Sequence, residues 1–446
     1  MKKIFLLIFS ISSIFSTLRA QENNYAFTID EAVNFALTNN YSVRTAKLDI
    51  DAAVKKKWET TTIGLPQING KVDYQNWLKQ GITLIPGEFF GGEPGEFIEV
   101  AFGTKQNLNA TLTLTQLLFD GSYLVGLQSA KTYLKISELA KEKTDQKVKE
   151  AVINAYGSVL IAHESIIILE KNRTILQKNL NETKAILANG LAEEQDLEQQ
   201  QITLSTIENQ INKANRLEII AKKMFNLTLG IPIDTHVVLK ENLEELALSS
   251  SDMNLINSNF NLDNHIDYRI ADNTVVSNEL LVKFEKSQAL PSLGAFVNYS
   301  TYANNDNNIF FDNNGDWFNS SLLGVSLNVP IFSSLQRSAR TQQAKISLEQ
   351  SEIALDETSQ RLKLQVDTAK NKYQFALDHY QTSKQNLALA ESIANKEQIK
   401  FFEGLSSSFN LTNAQNQLYQ QQQQYIQSIL EIIQSKVELE NALNIF

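Results

Sequence analysis

Hydrophobic residues along this chain recur with two periods, which occupy different stretches. Val148, Val152, Ala155, Val159, Ala162, Ile166 and Leu169 are spaced 4, 3, 4, 3, 4, 3, the a/d rhythm of a coiled-coil seam. Leu362, Val366, Ala369, Tyr373, Ala376 and Tyr380 repeat that rhythm. The seam residues are small or mixed rather than all leucine. That suits close packing among many helices, and a plain structural coiled coil equally. Residues 107–115 alternate instead with period two: Ala110, Leu112 and Leu114 point one way, and Asn109, Thr111, Thr113 and Thr115 the other. Leu323, Val325, Leu327 and Val329 alternate in the same manner with Gly324, Ser326 and Asn328.

These patterns come in pairs because the chain is written twice. Leu65-Pro66-Gln67-Ile68 aligns with Leu290-Pro291-Ser292-Leu293 at a spacing of 225, which also sets Arg44 on Arg269 and Ala46 on Ala271. Further on the spacing is 214: the two helical seams superpose, Asn189-Gly190-Leu191 meets Glu403-Gly404-Leu405, Leu197 meets Leu411, and Leu204 meets Leu418. One shorter loop in the second half accounts for the change of eleven. The reading is a tandem duplication.

Each half predicts one layout. Thr28-x-x-Glu31 is a capping box opening a short helix. A second helix follows over 42–63, then strands over 65–78 and 107–119. Residues 121–188 hold no proline and predict one helix, about 100 Å long at ~1.5 Å per residue. Gly190 ends it as a left-handed cap would, and a return helix runs over 191–229. The second half repeats this with a helix over 265–288, strands over 290–302 and 319–331, a long helix over 334–402 and a return over 405–443. The expected organisation is thus a first repeat over 21–240, a connector over 241–264 and a second repeat over 265–446.

Residues 1–20 read as a secretory signal peptide: Lys2 and Lys3, an apolar stretch from Ile4 to Leu18, and Ala20 before the expected cut. Export fits the composition of the 446 residues. With no cysteine there is no thiol nucleophile, disulfide framework or cysteine-ligated metal. Fifty Asp+Glu against forty Lys+Arg give −10, and losing Lys2, Lys3 and Arg19 gives −13. That argues against a general nucleic-acid binder. Six prolines and seventeen glycines are few, as long helices require. A mean hydropathy of −0.23 argues against a polytopic helical membrane protein but says nothing against alternating strands.

An apolar face opposed by a small, polar, uncharged one suits a membrane barrel strand between lipid and a watery lumen. Half-buried strands of a soluble sandwich alternate too, so the strands alone leave both open. Two features favour the barrel. Long loops, 79–106 and 303–318, join each strand pair, and Tyr74, Trp77, Tyr299, Trp317 and Phe318 lie near strand ends, where an aromatic girdle would sit. Moreover, four strands cannot close a barrel, and a bilayer forbids open edges. Spanning strands would therefore require several chains; three give 3 × 4 = 12 strands.

The signal peptide, the duplicated strand pair with its long hairpin, and the segments Gly190-Leu191…Asp196-Leu197 and Gly404-Leu405…Asn410-Leu411 resemble the TolC family of outer membrane factors. The resemblance covers about 25–443. It implies an α+β membrane protein: a homotrimer with a shared outer-membrane β-barrel, four strands per chain, continuous with a long periplasmic α-helical barrel. Such a protein is the exit duct of a tripartite efflux pump, with a periplasmic adaptor and an inner-membrane transporter as partners. It further implies adaptor docking at Gly190, Leu191, Gly404 and Leu405. A plain helix cap would need the glycine but not a paired leucine in both halves. Family members close the periplasmic entrance by linking an Asp on the first tip to a Tyr and an Arg on the second. Asp196 holds the Asp position, but Phe401 and Ser406 stand in place of Tyr and Arg, so that link cannot form. Asn410 and Asn413 replace the acidic residues that commonly line the pore, which predicts a neutral polar ring.

No enzyme, cofactor or metal is expected. The four histidines have no ligand spacing, and there is no P-loop, dinucleotide fingerprint or nucleophile elbow. The run Gln420–Gln424 reads as a solvated or lumen-facing helix surface. A duct for type I protein secretion or metal-ion efflux is the alternative within the fold. A periplasmic coiled-coil scaffold or adhesion protein is the alternative outside it.

Overall fold

The computed structural model describes residues 25–190, 193–307 and 316–445. The expected signal peptide and Leu191 lie outside the described residues.

The chain opens with strand β1 (Tyr25–Phe27) and helices α1 (Ile29–Asn39) and α2 (Tyr41–Thr62). The capping box is formed on both sides: the Glu31 amide donates to Thr28 Oγ1 at 3.3 Å, and the Thr28 amide to Glu31 Oε2 at 2.9 Å. Next come β2 (Gln67–Asn76), β3 (Ile82–Pro86), β4 (Phe97–Ala101) and β5 (Gln106–Asp120). The long helix α3 (Gly121–Ala188) and return helix α4 (Glu194–Leu229) complete the first half. Strand β6 (Val237–Leu239) follows, and the connector holds α5 (Leu243–Ser250). The second half carries α6 (Ile266–Ser287), β7 (Ser292–Asn305), β8 (Phe318–Asn328), α7 (Gln336–Phe402) and α8 (Ser408–Leu443). The duplication is visible in the lengths: α3 and α7 have 68 and 67 residues, and α4 and α8 have 36 each.

Three details differ from the sequence reading. The loop over 79–106 holds a second antiparallel hairpin, β3–β4. Two further elements were not foreseen: β6, just before the expected connector, pairs in parallel with β1, and α5 within it carries its own Asn242/Glu245 capping box. Both return helices begin three residues later than expected, at Glu194 and Ser408, each after a cap residue with extended backbone, Glu193 and Ser407.

By contacts the chain forms two units. The described part of one comprises 25–50, 137–190, 193–271 and 355–445; that of the other comprises 51–136, 272–307 and 316–354. Its sheet, in the second unit, has the order β2-β5-β7-β8, all antiparallel. Cross-strand partners share a face, so the register sorts the side chains. Ile68, Val72 and Tyr74 lie with Leu114, Ala110 and Leu108. Val297 and Tyr299 join that face opposite Leu114 and Leu112, as does Leu323 opposite Val297. The other face carries Asn69, Lys71, Thr111, Thr113, Asn298 and Ser300, with Thr111 and Ser300 hydroxyls 3.0 Å apart. The apolar face is solvent-exposed in the single chain, Leu323 to 74% and Val72 to 70%. Of the expected girdle, Tyr74 and Tyr299 are on the apolar face. Phe318 is opposite Tyr302 and stacks on it (5.6 Å) on the polar face, because the strand period is two.

In the first unit the second 4–3 seam is buried throughout, and the first is buried with Ala155, Ala162 and Ile166 half-buried. Val148, Val152, Val159 and Leu169 of α3, and Leu362, Val366, Ala369, Tyr373, Ala376 and Tyr380 of α7, are all under 9% exposed. A window of α3 is apolar enough to cross a membrane by length and composition, although no uninterrupted apolar run occurs there. Two fully buried tyrosines anchor the connecting segments to the long helices. Tyr156 Oη donates to Phe27 O (3.1 Å); Tyr373 Oη donates to Ser250 O (2.6 Å) and accepts from the Asp252 amide (2.8 Å).

Candidate docking and gating site

The long helices end by the same backbone device. Gly190 and Gly404 both have φ +73°, in the region that glycine enters without a Cβ penalty. At the second tip the Leu405 amide donates to Lys400 O (2.8 Å) and the Gly404 amide to Phe401 O (3.0 Å), the paired bonds of a Schellman cap. At the first, the Gly190 amide donates to Leu187 O at 2.9 Å. A Cβ on either glycine would meet nothing within 4 Å, so both tips present open space. Leu405 is 73% exposed. A Schellman cap commonly packs this position back onto its helix; here the side chain is left outside.

The two tips of one chain meet through a contact that the sequence did not reveal. Ser408 Oγ donates to Asp196 Oδ1, while Asp196 Oδ2 accepts from the Glu193 amide at 3.0 Å. Asp196 is therefore both a helix cap and a link across the tips. Ser408 is the first residue of α8, one place after the cap Ser407, so its hydroxyl looked like part of an ordinary serine-rich helix start. The only prior signal was the serine run 406–408 facing an aspartate at the matching tip.

Ser406 is bound within the second tip. Its hydroxyl donates to Glu397 Oε2 (2.8 Å) and accepts from Asn410 Nδ2 (3.3 Å), and Lys400 Nζ donates to Glu397 Oε1 (2.6 Å). The lysine bond first, and the serine bond second, hold the Glu397 carboxyl below the usual carboxylate range. Phe401 is buried and packs edge-on against Phe402, with ring centroids 5.2 Å apart. Together with Ile186, Asp196 and Ser408 these rings line a cleft of about 810 Å³ at the tips. Asn410 and Asn413 are exposed on α8. Of the glutamine run, Gln420, Gln423 and Gln424 are exposed, whereas Gln422 is buried and accepts from Asn172 Nδ2 at 2.7 Å.

Two of the four histidines pair with glutamates, His163 with Glu218 (3.0 Å) and His379 with Glu431 (2.7 Å), and His265 Nδ1 accepts from the Asp267 amide (3.2 Å). Among the described residues no cluster of three or more His, Asp or Glu side chains could hold a metal ion.

The profile of the outer membrane efflux protein family matches residues 32–230 and 271–444. Comparison with curated proteins gives no match. Among solved structures the fold is similar to that of CusC, a protein described in terms of transmembrane channel formation (TM-score 0.73, 17% identity, covering 93% of this chain and 91% of that one). It is similar also to the outer membrane protein VceC of Vibrio cholerae (0.70, 13%, 93% and 95%) and to the outer membrane channel CmeC of Campylobacter jejuni (0.71, 15%, 93% and 85%).

Proposed function

The chain belongs to the outer membrane efflux protein family, and from that premise we propose that it is the outer-membrane exit duct of a tripartite efflux pump. The observation that carries this is the four-stranded sheet. It presents a mainly apolar face and a mainly polar face, and among the described residues the outer edges of β2 and β8 have no strand partner. A bilayer tolerates no open edge, so the sheet must close with others. Three copies supply twelve strands, enough for a barrel with a watery lumen, which makes the working unit a homotrimer. The helical hairpins then form the periplasmic part.

Cargo moves passively through such a duct, and no catalytic group is needed. An inner-membrane transporter supplies the energy, and a periplasmic adaptor joins it to the tips. Gly190, Gly404 and Leu405 are the docking elements, with Leu191 beside Gly190 in sequence: the glycines leave room for close backbone approach, and Leu405 offers an uncovered apolar knob. Asp196 and Ser408 hold the entrance closed, in place of the link that Phe401 and Ser406 cannot make. Asn410 and Asn413 line the entrance as a neutral ring. Planar-bilayer recording of the detergent-purified protein tests this reading. Channels should appear and pass current undiminished by millimolar divalent cations. Strong divalent block would refute the neutral ring, and no channel activity at all would refute the duct.

A further inference from the structure

Toward the tips the helical core changes its chemistry. The buried side of α8 carries Ser408, Gln415 and Gln422 at intervals of seven, and α3 carries Asn172 and Asn179 at the same interval. Seven residues beyond Gln422 stands Ile429, which is 1% exposed. On α8 the amide position thus turns aliphatic at Ile429, while on α3 the same register passes to Ser165. On α4, Gln200 continues the seam formed by Leu204, Ile207, Ile211 and Ala214.

Part of this amide set is paired. Asn172 donates to Gln422, and Gln398 Nε2 donates to Asn179 Oδ1 at 2.9 Å. The rest is not. Gln200 is 0% exposed, and neither its Oε1 nor its Nε2 has a hydrogen-bond partner. Thr412 Oγ1, Gln415 Oε1 and Asn179 Nδ2 are buried and unpartnered as well. Gln200 and Thr412 each lie four residues, about one helical turn, beyond Asp196 and Ser408, the pair that joins the two tips. A buried polar group without a partner weighs against the state that buries it, by about tenfold in population for each. Water reaching the seam would remove that penalty. A polar residue at a coiled-coil core position likewise gives up stability for a second property.

We propose that this seam is the opening element of the gate: Gln200, Thr412 and Gln415 hold α4 and α8 near the balance between a dry closed state and a hydrated open one, and the Asp196–Ser408 contact tips that balance toward closed. The proposal rests on the tips being a gate. These side chains act by positioning the helices, not by touching cargo. Opening ends near the Asn172–Gln422 pair, because beyond it α8 buries Ile426, Ile429, Ile432 and Ile433 in the core that Tyr156 and Tyr373 anchor.

The test combines hydrogen exchange and bilayer recording on the full-length, detergent-purified protein. The double variant Gln200→Leu/Gln415→Leu replaces each amide by an apolar side chain of similar volume. It should slow exchange in the tip-ward parts of α4 and α8 by about tenfold or more and lower the mean conductance. Ser408→Ala should do the reverse. Exchange around residues 148–160 should change in neither. Unchanged or faster exchange in the leucine variant, from a wild type that conducts, overturns the seam alone. Slowed exchange with conductance unaltered overturns its link to the gate. A wild type that never conducts overturns the duct reading and the gate with it.

Discussion

Two substitutions at Gly404 separate docking from folding. The backbone there has φ +73°, and a side chain in that left-handed region costs about 1–2 kcal/mol. A Cβ would meet nothing within 4 Å, so no clash is added. Gly404→Ala and Gly404→Trp therefore carry the same backbone penalty, which acts on the cap made by the Leu405 and Gly404 amides. That penalty shifts a local equilibrium by a factor of about 5–30. It leaves the distant apolar core untouched, so both variants should assemble. Only the tryptophan adds bulk where an adaptor would approach. The assay is efflux of a fluorescent dye from cells whose only duct is the variant, with assembly checked on the same cells. Alanine should retain most efflux, and tryptophan should abolish it. Loss in both to the same degree would assign the effect to backbone geometry; full efflux with Gly404→Trp would refute docking at this tip.

Three other outcomes follow from the geometry. Tyr373→Phe removes the hydroxyl that bonds Ser250 O and the Asp252 amide. It should cost about 1–3 kcal/mol, read as a lowered midpoint in thermal unfolding. Leu112→Lys places a charge on the apolar face of β5 and should destabilise the assembled protein by about 2–4 kcal/mol if that face meets mid-bilayer, whereas Thr113→Lys on the opposite face should be tolerated; denaturant titration in lipid compares them. Glu397 has its folded pKa depressed by Lys400 and Ser406. Its contribution is thus present above the ordinary glutamate pKa and is lost as pH falls through the lower, folded value. Protection of the amides near 397–406, after correction for intrinsic exchange, should fall over that acidic window in the wild type and stay constant there in Glu397→Gln.

The large features were legible because they depend on period. A seam spaced 4, 3, 4 buries one face of a helix wherever that helix packs: Val148, Val152, Val159 and Leu169 are buried, with Ala155, Ala162 and Ile166 half-buried between them. The alternation over 107–115 placed Leu112 and Leu114 on one face for the same reason. Features set by a few local bonds were not legible. The β3–β4 hairpin lies in a segment dense in glycine and proline, where alternation is too short to count. The placement of β1 and of the connector depends on Tyr156 and Tyr373, whose hydroxyls reach Phe27 O and Ser250 O more than a hundred residues away. At the tips, the sequence excluded an Asp–Tyr–Arg link by pointing to Phe401 and Ser406. It could not name Ser408 as the partner of Asp196, because that pairing depends on how two hairpins meet. The buried glutamines were hidden by composition, since Gln200 and Gln415 look like the exposed amides around them.

The central claim is that three chains share one barrel in the outer membrane. Gel mobility of outer-membrane extracts, heated and unheated in SDS, tests it most directly. The account predicts a band near three times the 50.2 kDa chain in the unheated lane that collapses to the monomer on boiling. A protein released without detergent, running as a monomer in both lanes, would contradict it.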